Sequence, residues 1–307
     1  MNPLLRHDRL VRWLHPVAWW VWAICAAVAA STSTNPLVLT GIALSALLVV
    51  INRGVSAPWA ASVSMMLKLA ALLVVLRVLF QSVLGAPMGT HVIAHLPQVG
   101  LPSWMTGVRL GGILTLESLL LGAVEGMRFA AILICIAAAT TVAAPSRLFR
   151  ALPSRAADLG TLMIVAMTLV PHLVQDFRRI AAARRLRGRK SRGMRAVAAS
   201  LTPVVDGAME RSMQLAGSMY SRGYGSPVPR TQHRPDPWMP VEFAVLLCGI
   251  GAMGISLVFV ATSAAGALSI APLRWPTLTP AALTSLVLIA APAFITPLTP
   301  TTEALEA

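Results

Sequence analysis

Apolar stretches close to the length that crosses a bilayer recur along this chain, at about 13–30, 36–51, 65–84, 113–144, 241–262 and 278–296. One dense basic block interrupts the series. A hydrocarbon core about 30 Å thick needs roughly 20 apolar residues in helical form, and inside it every backbone N–H and C=O must find its partner within the protein. A set of membrane helices is the fold that fits. Composition agrees: 56% of the 307 residues are apolar and 12% charged, with a mean hydropathy of +0.73, whereas a soluble domain carries about 25% charged residues.

Positive charge orients the helices, since arginine-rich loops stay on the cytoplasmic side. Arg6, Arg9 and Arg12 precede the first stretch, and Ser31-Thr32-Ser33-Thr34-Asn35 after it carries no charge. Arg53 follows the second stretch, the long 85–112 connection carries only Arg109, and Arg147, Arg150 and Arg155 follow the fourth. This alternation reads in, out, in, out, in. The N-terminal arginines resemble a signal peptide in charge, but no convincing small-residue cleavage site follows, so the run reads as a retained first span.

The segment 158–177 is also apolar, yet it has basic residues at both ends, so a crossing would put one cluster outside. Asp158, Thr161, Thr168, His172 and Gln175 fall on one narrow helical stripe. Such a helix can lie at the membrane–cytoplasm boundary without crossing, with Pro171 kinking it near its end. The expectation is six crossings with both termini cytoplasmic. Residues 1–157 supply four spans, 158–235 a cytoplasmic or interfacial helical module, and 236–307 the remaining spans.

That module is where the charge gathers. The net charge is +14, and residues 178–234 hold thirteen Lys or Arg against Asp206 and Glu210. A basic block can face nucleic acid, anionic lipid or an acidic protein surface, and among membrane spans nucleic acid is the least fitting. The run 178–188 is rich in alanine, a strong helix former, and Gly188 offers the left-handed residue that commonly ends a helix. Arg187 before it suits the negative end of the helix dipole. Thr202-Pro203 reads as an N-cap with proline at the first helical position, or as a kink. Beyond it Asp206, Glu210, Gln214 and Ser218 form an i,i+4 stripe, beside a softer face of Val205, Met209, Met213, Ala216 and Met219. Arg222-Gly223 repeats the arginine–glycine ending, and Pro227, Pro229, Pro235 and Pro237 lead out as an extended linker.

Several chemistries lack their residues. No Gly-x-x-x-x-Gly-Lys-Ser/Thr phosphate loop occurs; Lys190-Ser191 is preceded by arginine. Energy for any active transport must come from another subunit. No Ser-His-Asp or Cys-His arrangement suggests a catalyst, and Cys25, Cys135 and Cys248 lie in apolar runs without metal or redox spacing. His91 and His95 at i,i+4 could chelate a metal but have no third ligand nearby. In the fourth stretch, charges inside a span draw functional attention: Glu125 and Arg128 are spaced to neutralise each other, and Glu117 sits near enough to the outer end to reach water.

These features resemble the transmembrane T component of energy-coupling factor transporters, which take up vitamins and transition metals in prokaryotes. The likeness covers most of residues 31–225. Ser33-Thr34-Asn35-Pro36-Leu37 is similar to the family's Asn-Pro-Leu turn before its second span. Leu114-Thr115-Leu116-Glu117-Ser118-Leu119 is similar to the start of its fourth, with Arg128 at the expected arginine position. Leu201-Thr202-Pro203 and Leu215-Ala216 resemble the approach to its second signature. The signatures are two Ala-Arg-Gly motifs on cytoplasmic coupling helices that fit grooves of two ATPase subunits. They correspond to Leu186-Arg187-Gly188 and Ser221-Arg222-Gly223, which keep Arg-Gly and replace the alanine; Tyr220 stands where the family often has an acidic residue.

The resemblance implies an all-α polytopic fold of about six spans with a coupling module between the fourth and fifth. It implies a non-enzymatic subunit of the prokaryotic cell membrane, without cofactor. Its partners would be two ABC-type ATPases and a small hydrophobic substrate-binding membrane subunit, with no nucleic acid. Arg187, Gly188, Arg222 and Gly223 would be the ATPase contacts. Two other readings are an ABC-type permease that forms the pathway itself, and a membrane scaffold whose basic block binds anionic lipid or an acidic partner.

Overall fold

A computed structural model of the chain describes residues 14–53, 62–85, 89–99, 110–143, 145–151, 157–188, 193–226, 238–261, 269–270, 273–274 and 276–295. The chain divides into two compact units. One comprises Met1–Leu148 with Pro237–Ala307, the other Phe149–Asp236.

The first unit is a helical bundle. Its helices are α1 (Pro16–Thr32), α2 (Pro36–Arg53), α3 (Ser62–Leu84) and α4 (Leu116–Val142), then α8 (Pro240–Ala261), α9 (Pro280–Ala290) and the short α10 (Pro292–Ile295). The short α5 (Pro145–Arg150) follows α4, and the second unit holds α6 (Ala157–Leu186) and α7 (Met194–Ser221). Among the described residues α2, α3, α4, α6 and α8 are long and apolar enough to cross a membrane, while α1 and α9–α10 are shorter apolar helices. The all-α polytopic fold stands. Between α3 and α4, however, the 85–112 connection contains strand β1 (Val92–Val99), which pairs antiparallel with β2 (Leu110–Thr115); β3 (Ser269–Ile270) and β4 (Leu273–Arg274) form a second small hairpin.

Local chemistry sets the helix starts. Asn35 caps α2 by accepting the Leu37 N–H on Oδ1 at 2.9 Å, and Pro36, which has no N–H to offer, occupies the first helical position. The Asn35 Nδ2 also donates to the Thr277 carbonyl at 2.9 Å, tying this turn to the approach to α9. Thr115 caps α4 by accepting the Ser118 N–H.

Glu242 holds two starts at once. It is 1% exposed, and its two oxygens accept the Met239 N–H ahead of α8 and the His15 N–H ahead of α1, each at 2.7 Å. His15 also stacks on Trp238 with ring centroids 4.2 Å apart. The beginnings of α1 and α8 therefore lie at one end of the bundle. Four alternating helices, α1 to α4, bring Ala143 back to that same end. The chain accordingly leaves the first unit and re-enters it on one side.

Packing is tight where glycine permits. Gly122 and Gly126, one turn apart on α4, meet α3 so closely that a Cβ on Gly126 would lie 2.9 Å from the Val74 Cα, and one on Gly122 2.7 Å from the Gln81 Cβ. This small-xxx-small spacing lets two helix backbones approach where lipid offers no hydrophobic drive. On the other side of the bundle the fully buried Trp22 of α1 packs against Gly249 of α8 and donates its indole N–H to the Ile289 carbonyl of α9 at 3.2 Å. Arg53, 7% exposed, donates to the Ala293 and Phe294 carbonyls, where the negative end of the terminal helix welcomes a cation.

The expected Glu125–Arg128 pair does not form. Glu125 binds Arg77 of α3, whose Nε lies 3.1 Å from Oε2, and Arg128 donates its Nε to the Ser33 carbonyl at 3.2 Å. Their i,i+3 spacing allows a pair, but each finds its partner on a neighbouring element. Glu117 does not reach water either. It is 2% exposed and accepts the N–H groups of Thr90 and His91 and a contact from the His91 ring at 2.6 Å. Gly89, with φ +86°, allows the approach, since a Cβ there would fall 2.4 Å from the carboxyl carbon.

Candidate functional site

The second unit is an antiparallel helical hairpin. Its register is given by three contacts along its length. The Arg184 guanidinium donates to the Ala199 carbonyl at 2.9 Å near the turn, Arg211 pairs with Asp176 at 2.7 Å midway, and the Tyr224 hydroxyl meets the Asp158 carboxylate at 3.2 Å at the far end. The α6 helix runs unbroken for 30 residues through Pro171, so the apolar 158–177 segment and the basic 178–186 run are one element.

The second arm starts earlier than the Thr202-Pro203 cap would place it. α7 begins at Met194 after Gly193, whose φ is +98°, and Pro203 lies inside the helix. This proline therefore sits in the helix interior rather than at its start. Its missing N–H and ring leave a weak point that the flanking turns bridge.

Both arginine–glycine pairs sit immediately past a helix end. Gly188 and Gly223 have φ of +71° and +76°, the left-handed region that glycine enters without strain. At the α7 end the Tyr224 N–H bonds to the Met219 carbonyl and the Gly223 N–H to the Tyr220 carbonyl, both at 2.9 Å. This is the double-bonded ending that turns the chain away sharply and leaves the residue before glycine at the helix tip. At the α6 end the Gly188 N–H donates to the Arg185 carbonyl at 3.0 Å. Arg187 and Arg222 are therefore C-cap residues, one position beyond the last helical residue. Among the described residues neither guanidinium meets a protein acceptor, and both side chains are exposed. A Cβ on Gly188 would touch nothing and one on Gly223 only the Ser226 hydroxyl at 3.7 Å, so these glycines serve the backbone turn rather than close packing.

Because the arms run in opposite directions, the two tips lie at opposite ends of the hairpin. The register sets Arg222 level with about residue 161 of α6, and at about 1.5 Å rise per residue the tips are roughly 40 Å apart. Between them runs an open apolar groove of about 690 Å³, lined by Leu173, Val174 and Phe177 of α6 and by Val205, Met209 and Met213 of α7. Met209 and Met213 are 62% and 72% exposed. The face expected to be soft is thus presented outward, and methionine suits a surface that must adapt to a partner. The polar stripe beside it is held locally, as in the Gln214 to Glu210 bond at 2.9 Å.

The other residues raised by the sequence do not join this unit. His91 and His95 flank and enter strand β1, where a rise of about 3.3 Å per residue sets them some 13 Å apart. The helical spacing that suggested chelation does not exist. Sequence reasoning assigned no role to Arg77, Asp176, Arg211 or Glu242. For Arg77, a lone arginine inside an apolar stretch was the available signal; for Glu242, it was an acid in the first turn of a span.

The profile described as CbiQ, cobalt transport protein, matches residues 7–233. No curated protein matches the chain.

Proposed function

Because the chain belongs to the CbiQ family of cobalt transport proteins, membrane components of transporters, we propose that it is the coupling subunit of an energy-coupling factor importer. In this reading it is a non-catalytic subunit of a prokaryotic cell membrane that passes ATPase motion to a substrate-binding membrane subunit for a vitamin or transition metal ion. The observation that carries it is the pair of left-handed arginine–glycine tips at opposite ends of one hairpin. Each of Arg187 and Arg222, with the backbone turned away by Gly188 and Gly223, offers an uncommitted planar fork for carboxylates or carbonyls. One tip would seat on each of two ABC-type ATPase subunits.

Topology supports a cytoplasmic hairpin. The chain leaves and re-enters the membrane unit at one end, so α6 and α7 cross either together or not at all. α7 carries Arg195, Asp206, Glu210 and Arg211 and is not apolar enough to cross. We infer that neither crosses and that both termini are cytoplasmic. The apolar groove between the tips, with its exposed methionines, would receive the substrate-binding subunit. A shift in tip separation as the ATPases close would then change the groove.

Truncating a desolvated charged contact typically costs about 2–5 kcal/mol, which is roughly 30-fold or more in affinity per tip. Arg187→Glu and Arg222→Glu, singly and together, are tested by ATP-dependent uptake in vesicles and by co-purification of the ATPases. Each single change should weaken both, and the double change should abolish them. Unaltered uptake and ATPase recovery in the double variant would refute the proposal.

A further inference from the structure

At the end of the bundle opposite Arg53 lies a half-enclosed cavity of about 290 Å³. It is framed by the α1–α2 turn on one side and by the end of α8 and the start of α9 on the other. The α8 and α9 helices lie beyond the matched residues 7–233, so half of this cavity is built by chain outside that match. Its lining is uncharged and rich in hydroxyls, among them Ser33, Thr34, Ser256, Thr277, Thr279 and Ser285, interleaved with Val38, Phe259 and Val260.

This lining discriminates among ligands. A divalent cation would find no carboxylate, imidazole or thiolate, the groups that would hold one. A free anion would find no cation in the lining. What the walls offer is neutral hydrogen-bonding capacity against apolar carbon. The position narrows the choice further: α1 rises about 25 Å from its start to this level, close to the thickness of a hydrocarbon core at about 30 Å, so the cavity stands at a membrane interface. Val260 lines it and is 49% exposed, and the flanks outside are apolar, with Val258 of α8 63% exposed and Val287 of α9 67% exposed. One to two helical turns deeper in the bundle, Trp22, Ile42 and Ile289 are fully buried.

We propose that this cavity holds the glycerol–ester region of one membrane phospholipid, with ester oxygens accepting from the Thr34, Ser256 and Thr277 hydroxyls and the acyl chains running out over the exposed valines. The C-terminal helices would then be joined to α1 and α2 partly through lipid. The full chain, reconstituted with phosphatidylethanolamine and phosphatidylglycerol and extracted in mild detergent, is examined by native mass spectrometry after delipidating washes. One phospholipid per chain should survive in the wild type. Ser256→Phe and Thr34→Trp fill the cavity from partly exposed positions and should each lower retention at least fivefold, whereas Ile51→Phe, on the exposed α2 end away from the cavity, should not. A wild-type chain that retains only water or detergent there, or equal lipid retention by both filled variants that remain monodisperse, overturns the proposal. Thr34→Trp, on an exposed turn, keeps the test decisive should Ser256→Phe fail to fold.

Discussion

Removing the Glu242 carboxylate should loosen the bundle more than any other single truncation of a polar side chain in it. The carboxylate is 1% exposed and receives two backbone N–H groups at 2.7 Å, one ahead of α1 and one ahead of α8. Hydrogen bonds to a charged group contribute about 1.5–3 kcal/mol each, so Glu242→Ala should cost about 3–6 kcal/mol, with the His15 N–H left buried and unmet. At about 2 °C per kcal/mol for a chain of this size, the apparent melting temperature falls by roughly 6–12 °C. Glu242→Gln keeps one acceptor but turns its NH2 toward the other N–H, so it should recover less than half of that loss. The assay is survival of the monodisperse peak in detergent after graded heating, with Glu210→Ala as the control, since that carboxylate accepts from an exposed Gln214 on its own helix. A Glu242→Ala variant melting within 2 °C of the wild type, or a Gln variant as stable as the wild type, would refute the double-cap reasoning.

At the α3–α4 seam, Gly126→Leu should lower the same melting temperature by several degrees, because overpacking a close contact costs about 1–3 kcal/mol and even a Cβ would stand 2.9 Å from the Val74 Cα; equal stability would show that the helices can separate freely. Arg77→Glu and Glu125→Arg should each destabilise, and the exchanged pair should regain at least half of the loss, read as a thermal double-mutant cycle. Additive losses in the exchanged pair would mean that the two side chains do not stabilise each other across the seam.

How much of this was legible in the sequence depends on the range of the interaction. Asn35-Pro36 and Arg187-Gly188 could be read directly, because a cap, a proline at the first helical turn and a left-handed glycine are decided within a few residues. Apolar length located the membrane helices for the same reason. The pairing of Glu125 is not legible from its neighbours, because its partner is not Arg128 three residues on but Arg77, 48 residues away on another helix. The burial of Glu117 is not legible locally, because Gly89, Thr90 and His91, which cover it, come from a connection more than 25 residues away. Thr202-Pro203 has the chemistry of a helix start, yet α7 continues through it, held from outside by its partner α6. Local rules proposed the ends, and contacts between distant segments decided the rest.

The Asp176–Arg211 contact joins positions 35 apart, the same offset that separates Arg187 from Arg222. An antiparallel pair of helices has an approximate two-fold axis across it, and this offset places the ion pair on that axis with one arginine–glycine tip swung to each side. Two identical chains related by such an axis would face like residue with like, aspartate against aspartate or arginine against arginine. Joining both arms in one polypeptide removes that constraint: the crossing point carries opposite charges while the tips stay equivalent. A partner that engages both tips in the same way must itself repeat its socket about a two-fold axis.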